Sequence, residues 1–138
     1  MRPSLSIPGL VHGATMLVVG NLERSTRYYT DLLGFIILEQ SPHLALLECG
    51  SLLLYLVTHS DPTPDKPTIT LALTNTNQTT SVNLVLRVQD CQQAYTELTR
   101  RGVTFLTPPQ SPPWGGWRCF TRDPDGYLIE IEQPSASD

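Results

Sequence analysis

The segment ATMLVVGNLERSTRYYTDLLG, residues 14–34, decides the fold, because its pattern returns at residues 82–102 as VNLVLRVQDCQQAYTELTRRG. Ala14 to Val19 reads as a strand, and Asn21 then stands where a helix N-cap belongs. Leu22, Tyr29, Leu32 and Leu33 recur at helical spacing, and Gly34 closes the helix where left-handed backbone is favoured. In the second copy Val82 to Val88 alternates as a strand. Asp90 follows as N-cap with Gln93 three residues on, in the manner of a capping box. Cys91, Ala94, Tyr95 and Leu98 supply the apolar stripe, and Gly102 ends it. The two helical segments, Asn21 to Gly34 and Asp90 to Gly102, differ by one residue in length.

Strands follow each helix. In the first half Phe35 to Gln40, Leu44 to Cys49 and Leu52 to Val57 are separated by hairpin-length turns at Ser41-Pro42-His43 and Gly50-Ser51. In the second half Thr104 to Leu106, Trp117 to Thr121 and Tyr127 to Glu132 take the same places. Asp123-Pro124-Asp125-Gly126 is a tight turn, since Pro fixes φ and Gly permits positive φ. Each half therefore reads β-α-β-β-β. The expectation is a single α+β domain over residues 1–138, with modules at about 13–58 and 82–133. Asp61 to Pro67 leads into Thr68 to Leu73, a run able to extend, and Pro108 to Pro113 precedes Trp114-Gly115-Gly116-Trp117.

Composition narrows the function classes. Hydrophobic residues at 40% and charged residues at 16% describe a globular chain. The net charge is −4 and Lys66 is the only lysine, so no basic stripe exists for nucleic acid. Arg24, Arg27, Arg100 and Arg101 read as solvated charge on helix surfaces. No apolar run is long enough to cross a bilayer, and the opening MRPSLSIPGL carries two prolines and no secretory core. Cys49, Cys91 and Cys119 form no Cys-x-x-Cys motif and read as buried free thiols, which places the protein in the cytoplasm.

The run Val19-Gly20-Asn21-Leu22-Glu23-Arg24-Ser25, with Tyr28-Tyr29 and Leu32-Leu33-Gly34-Phe35, resembles the opening signature of the vicinal-oxygen-chelate superfamily. The ending from Phe120 through Asp123-Pro124-Asp125-Gly126 to Glu130 resembles its closing signature. That superfamily includes glyoxalase I, extradiol dioxygenases, fosfomycin-modifying thiol transferases and bleomycin-resistance proteins. The resemblance implies two βαβββ modules forming a curved mixed sheet around an open cup, with helices on the convex side.

Strand parity assigns the faces. Val82, Leu84, Leu86 and Val88 belong to the helix side, which turns Asn83, Val85 and Arg87 into the cup. Leu52, Leu54 and Leu56 likewise leave Leu53, Tyr55 and Val57 inside, and Tyr127, Ile129 and Ile131 leave Leu128, Glu130 and Glu132. The resemblance implies metal ligands seven residues before each N-cap and on the last strands. Those positions hold Ala14, Asn83, Tyr55 and Glu130, and only Glu130 is a strong ligand. His12 shares the cup-facing parity and offers a weak alternative metal pair with Glu130.

No cofactor is therefore expected, a divalent metal being the lesser alternative. The resemblance is nearest to the metal-free bleomycin-resistance type. It implies a homodimer binding a small organic ligand, an antibiotic or a metabolite, in clefts shared by two chains. Tyr55, Asn83, Arg87, Trp114, Trp117 and Glu130 are the candidate ligand-binding residues, with Arg87 set to meet an anion or pair with Glu130. Two other readings stay open. One is a metal-dependent lyase, dioxygenase or thiol transferase with an atypical ligand set. The other is a structural or regulatory dimer whose cup is filled by its own side chains. No nucleophile stands beside a base; Cys119 next to Arg118 is too little for catalysis.

Overall fold

Each half of the chain folds in the order strand, helix, strands. In the computed structural model, which describes residues 7–136, β1 (Thr15–Val18) leads to α1 (Leu22–Arg27), and the helix continues as a π-helical turn over Tyr28–Leu32. β2 (Ile36–Ser41), β3 (Leu44–Cys49) and β4 (Leu52–Val57) complete a sheet of order β1-β4-β3-β2. The second half comprises β5 (Asn83–Arg87), α2 (Cys91–Arg100), β6 (Trp117–Arg122) and β7 (Leu128–Gln133), in a sheet of order β5-β7-β6. In both sheets the first strand runs parallel to the last, and every other pairing is antiparallel. Residues 1–6 of the opening stretch lie outside the described residues.

The α+β class and the two modules agree with the sequence reading; three details differ. The strands form two separate sheets rather than one curved sheet. Thr104 to Leu106 is not a strand, and only single bridges join Phe105 to Thr121 and Gln110 to Arg118. Four prolines between 108 and 113 lack the N–H that a ladder needs. Thr68 to Leu73 is likewise reduced to one bridge between Leu71 and Ser60.

The caps are as expected. Asn21 Oδ1 accepts the Arg24 amide at 2.9 Å, and Asp90 Oδ1 accepts the Gln93 amide at 3.0 Å. The helix-side residues of both sheets meet in one buried cluster: Leu17, Leu47, Leu54 and Leu56 from the first, Leu84, Ile129 and Ile131 from the second. Cys91 and Cys119 lie within it, their sulfurs 3.8 Å apart and unbonded.

The modules are joined by a polar junction at the turn between β6 and β7. Asp125, its side chain 3% exposed, accepts from the Gly20 amide (3.1 Å), Arg24 Nη2 (3.0 Å) and the Ser25 hydroxyl (3.0 Å). Asp123 accepts from the Tyr29 hydroxyl at 2.7 Å and from the backbone of Asp125 and Tyr127. The π-helical turn lets two consecutive tyrosines reach this turn, because Tyr28 also donates to the Arg122 carbonyl at 3.2 Å. Tyr127 answers from the other side by donating to the Val18 carbonyl at 2.8 Å. Arg24 is thus a junction residue rather than free surface charge, and Arg101 donates to the Leu32 carbonyl at 2.9 Å. Arg27, by contrast, pairs with Glu23 within its own helix, and Arg100 with Glu97.

Asp125→Ala leaves a backbone N–H and the buried Ser25 hydroxyl without their acceptor. We expect a loss of about 2–4 kcal/mol in urea unfolding, with Asp125→Asn losing less. A loss within about 0.5 kcal/mol, the usual range for a surface change, would show that the junction contributes little.

Alkaline stability follows from the core thiols. Burial, then the neighbouring Cys91, pushes the Cys119 thiol from 9.0 up to about 12. An unfolded chain ionises this thiol first, so the native state binds more protons between pH 9 and about 12, and stability falls as pH rises through that window. Burial also raises Tyr29 and Tyr127, which extend the fall upward. Cys119→Ala should flatten the pH dependence of the urea midpoint between about 9 and 10, and an unchanged slope would contradict this assignment.

Candidate functional site

The face of the second sheet that turns away from α2 carries three rungs read straight across the strands. Asn83, Leu128 and Arg122 form one, Val85, Glu130 and Phe120 the next, and Arg87, Glu132 and Arg118 the third. Alternation explains why: Leu84 and Ile129 are buried on the helix side, while Val85 is 49% exposed on the other. Glu130 is the exception on this open face, a carboxylate only 8% exposed.

Its partner is Asn83, whose side-chain amide donates to Glu130 Oε1 at 2.9 Å. A buried carboxylate needs such a donor. Arg87 pairs with Glu132 instead of Glu130, with Nε at 3.0 Å and Nη2 at 2.9 Å from the same oxygen. Glu130, Arg87 and Glu132 border a cleft of about 200 Å³ together with Pro112, Trp114, Trp117, Arg118 and Pro134.

The candidate residues divide. Asn83 pairs with Glu130, and Arg87, Glu130, Trp114 and Trp117 border the cleft. Tyr55 lies in the first sheet, in register with Met16 and Leu46, and does not line it. Ala14 and His12 are exposed and precede β1. Trp114 lies against the Arg118 guanidinium, 5.0 Å from its ring centroid. Trp117 opens β6 with the parity of buried Cys119, and it also lines a groove beside Asp90 and Pro109. Cys119, 1% exposed and held as a thiol by burial, offers no nucleophile.

Backbone crowding sets the loop between them. Gly116 has φ of 75°, and a Cβ there would strike the Gln133 carbonyl and come within 2.9 Å of the Ser135 amide. Only glycine suits both demands. Sequence reasoning passed over Arg118 and Phe120, whose guanidinium and ring centroid are 5.0 Å apart. Their i, i+2 spacing on β6 was the available signal. A second and larger groove, about 500 Å³, runs between the modules beside Leu33, Leu52, Val88 and Leu98, with Arg87 its only charged residue.

No group of three or more His, Cys, Asp or Glu converges among the described residues. No helix among them is long and apolar enough to cross a membrane. The donors here fit a divalent cation poorly: Glu130 spends one oxygen on Asn83, and Glu132, the other carboxylate of the cleft, is paired with Arg87.

Known proteins place this architecture. A glyoxalase-related enzyme from Fulvimarina pelagi is 25% identical with a TM-score of 0.68, covering 90% of this chain and 88% of that one. TnmS3, an antibiotic-binding protein from Streptomyces sp. CB03234, is 25% identical with a TM-score of 0.66, covering 92% and 98%. A bleomycin-binding protein complexed with bleomycin is 20% identical, covering 91% and 100% with a TM-score of 0.66, a likeness of fold. No curated protein sequence matches the chain. Residues 10–131 match the family described as the Glyoxalase/Bleomycin resistance protein/Dioxygenase superfamily, and the chain belongs to it.

Proposed function

We propose that the protein is a metal-free small-molecule binding protein that sequesters an organic ligand, an antibiotic or a metabolite, without making or breaking a bond. The observation that carries this reading is the Asn83–Glu130 hydrogen bond. Asn83 and Glu130 stand at two positions where the family resemblance puts metal ligands, and here they satisfy each other. A third such position is Ala14, which has no donor. What remains is a cleft rich in polar groups able to orient a ligand, with Arg87, Arg118, Glu130, Glu132 and Gln133 beside Pro112, Trp114, Trp117 and Pro134. The likeness to antibiotic-binding TnmS3 supports the same class of ligand.

The reading includes a homodimer. A cleft of about 200 Å³ is small beside the roughly 300–1,000 Å³ of drug-sized sites. Its walls come only from the second module, while Tyr55 and Met16 lie on the first sheet. β1 and β5 each form a sheet edge, and Met16 and Val85 are 44% and 49% exposed. A second copy laid along these edges would join the two half-sites and cover that apolar surface. Free thiols at Cys49, Cys91 and Cys119 suit a reducing, cytoplasmic setting.

Calorimetric titration with Mn²⁺, Ni²⁺, Zn²⁺ and Fe²⁺, beside elemental analysis of the native protein, tests the metal-free part. We expect no stoichiometric binding; one equivalent bound and lost in Glu130→Ala would overturn it. Light scattering during gel filtration tests the dimer. Twice the chain mass is expected, and a monomer at about 50 μM would refute the shared site.

A further inference from the structure

Arg118 is the one cation of the cleft that no carboxylate answers. Its direct cross-strand neighbour is Glu132, yet both short contacts of that carboxylate go to Arg87. Glu130 is taken by Asn83. Among the described residues Arg118 forms no ion pair; its guanidinium instead lies 5.0 Å from the ring centroids of both Trp114 and Phe120. Stacking on aromatic rings restrains a guanidinium while leaving the N–H groups around its edge free to donate. Half-buried Phe120 is fixed in β6, and Trp114, 68% exposed on the loop before that strand, covers the guanidinium from the other element. A planar, restrained guanidinium with unused donors matches a carboxylate in two-pronged fashion. Arg87 and Glu132 pair with each other, and Glu130, the other carboxylate of the cleft, accepts from Asn83. Pro112, Trp117 and Pro134 offer a flat apolar frame its contact surface, beside Gln133.

We propose that Arg118 is the specificity-determining residue of the cleft and that it selects organic carboxylates carried on a flat apolar frame. This rests on the small-molecule binding reading and adds the ligand class. The bland alternative is that Arg118 only latches the loop of Trp114 onto β6.

The test uses three probes of one shape on the full chain: 2-naphthoate, neutral 2-naphthamide and cationic 2-naphthylmethylamine. Binding is followed by calorimetry and by tryptophan fluorescence, which reports on just two residues. Native protein should bind 2-naphthoate at least about tenfold tighter than 2-naphthamide, the scale of one charge-assisted hydrogen-bonded contact. Arg118→Gln should remove that preference, with 2-naphthoate then binding no tighter than 2-naphthamide. Arg118→Lys keeps charge but not the planar fork, and it should retain only part of the preference. Circular dichroism and the unfolding midpoint confirm that each variant is folded. If Arg118→Gln fails to fold, the intermediate preference in Arg118→Lys decides the matter. Equal binding of naphthoate and naphthamide to native protein, or an undiminished preference in a folded Arg118 variant, would overturn the proposal and leave the binding reading standing. No binding of any probe would overturn both.

Discussion

Two carboxylates in one tight turn hold the two halves of this protein together. Asp125 is almost wholly removed from water and takes donors from Gly20, Arg24 and Ser25, all at the beginning of the first helix. Asp123, two residues earlier, takes the hydroxyl of Tyr29 and the backbone of its own turn. Burial outweighs those hydrogen bonds and raises the Asp123 carboxyl. The charge is therefore tolerated at a cost, and every donor around it has a place to be. This polar junction explains why Gly20 is glycine: a Cβ there would press to 3.1 Å from the Asp125 carboxylate. It also gives the π-helical turn a task, since two adjacent tyrosines must both reach the turn.

Function follows from what the junction leaves uncovered. With the helix sides locked into one core, the opposite faces of the two sheets remain as separate surfaces. The second carries Asn83, Glu130, Arg87 and Glu132 in mutually satisfied pairs, with Arg118 unpaired by charge. A surface so arranged is well suited to orient a ligand. The nearby thiol, Cys119, is buried.

The fold was legible because it is repeated. Asn21 and Asp90 cap two helices in the same place, and alternation puts Leu54, Leu56 and Leu84 in the core, although Val57, on the opposite face of β4, is buried as well. The missing strand at 104–106 was harder to foresee, since Thr104-Phe105-Leu106 has strand character and only the prolines beyond it prevent a ladder. The site was half legible. Parity put Asn83, Arg87 and Glu130 on one face, but pairing partners depend on side-chain reach across strands. The sequence offered Arg87 an anion or Glu130, and it takes Glu132 instead, its direct neighbour across the ladder. Arg118 escaped notice because a guanidinium on a strand looks like solvated charge until its aromatic neighbours are placed. The role of Asp125 was hidden for a similar reason: proline and glycine turn chemistry explains Asp123-Pro124-Asp125-Gly126 locally, and nothing local points to a helix a hundred residues away.

If the junction makes one cooperative unit of two modules, both must open together. Native-state hydrogen exchange measures this directly, by comparing amides of Leu54 and Leu56 in β4 with those of Ile129 and Ile131 in β7. The account predicts one opening free energy for all four, equal to that of global unfolding. A first sheet whose amides exchange at a clearly lower free energy than the second would contradict it.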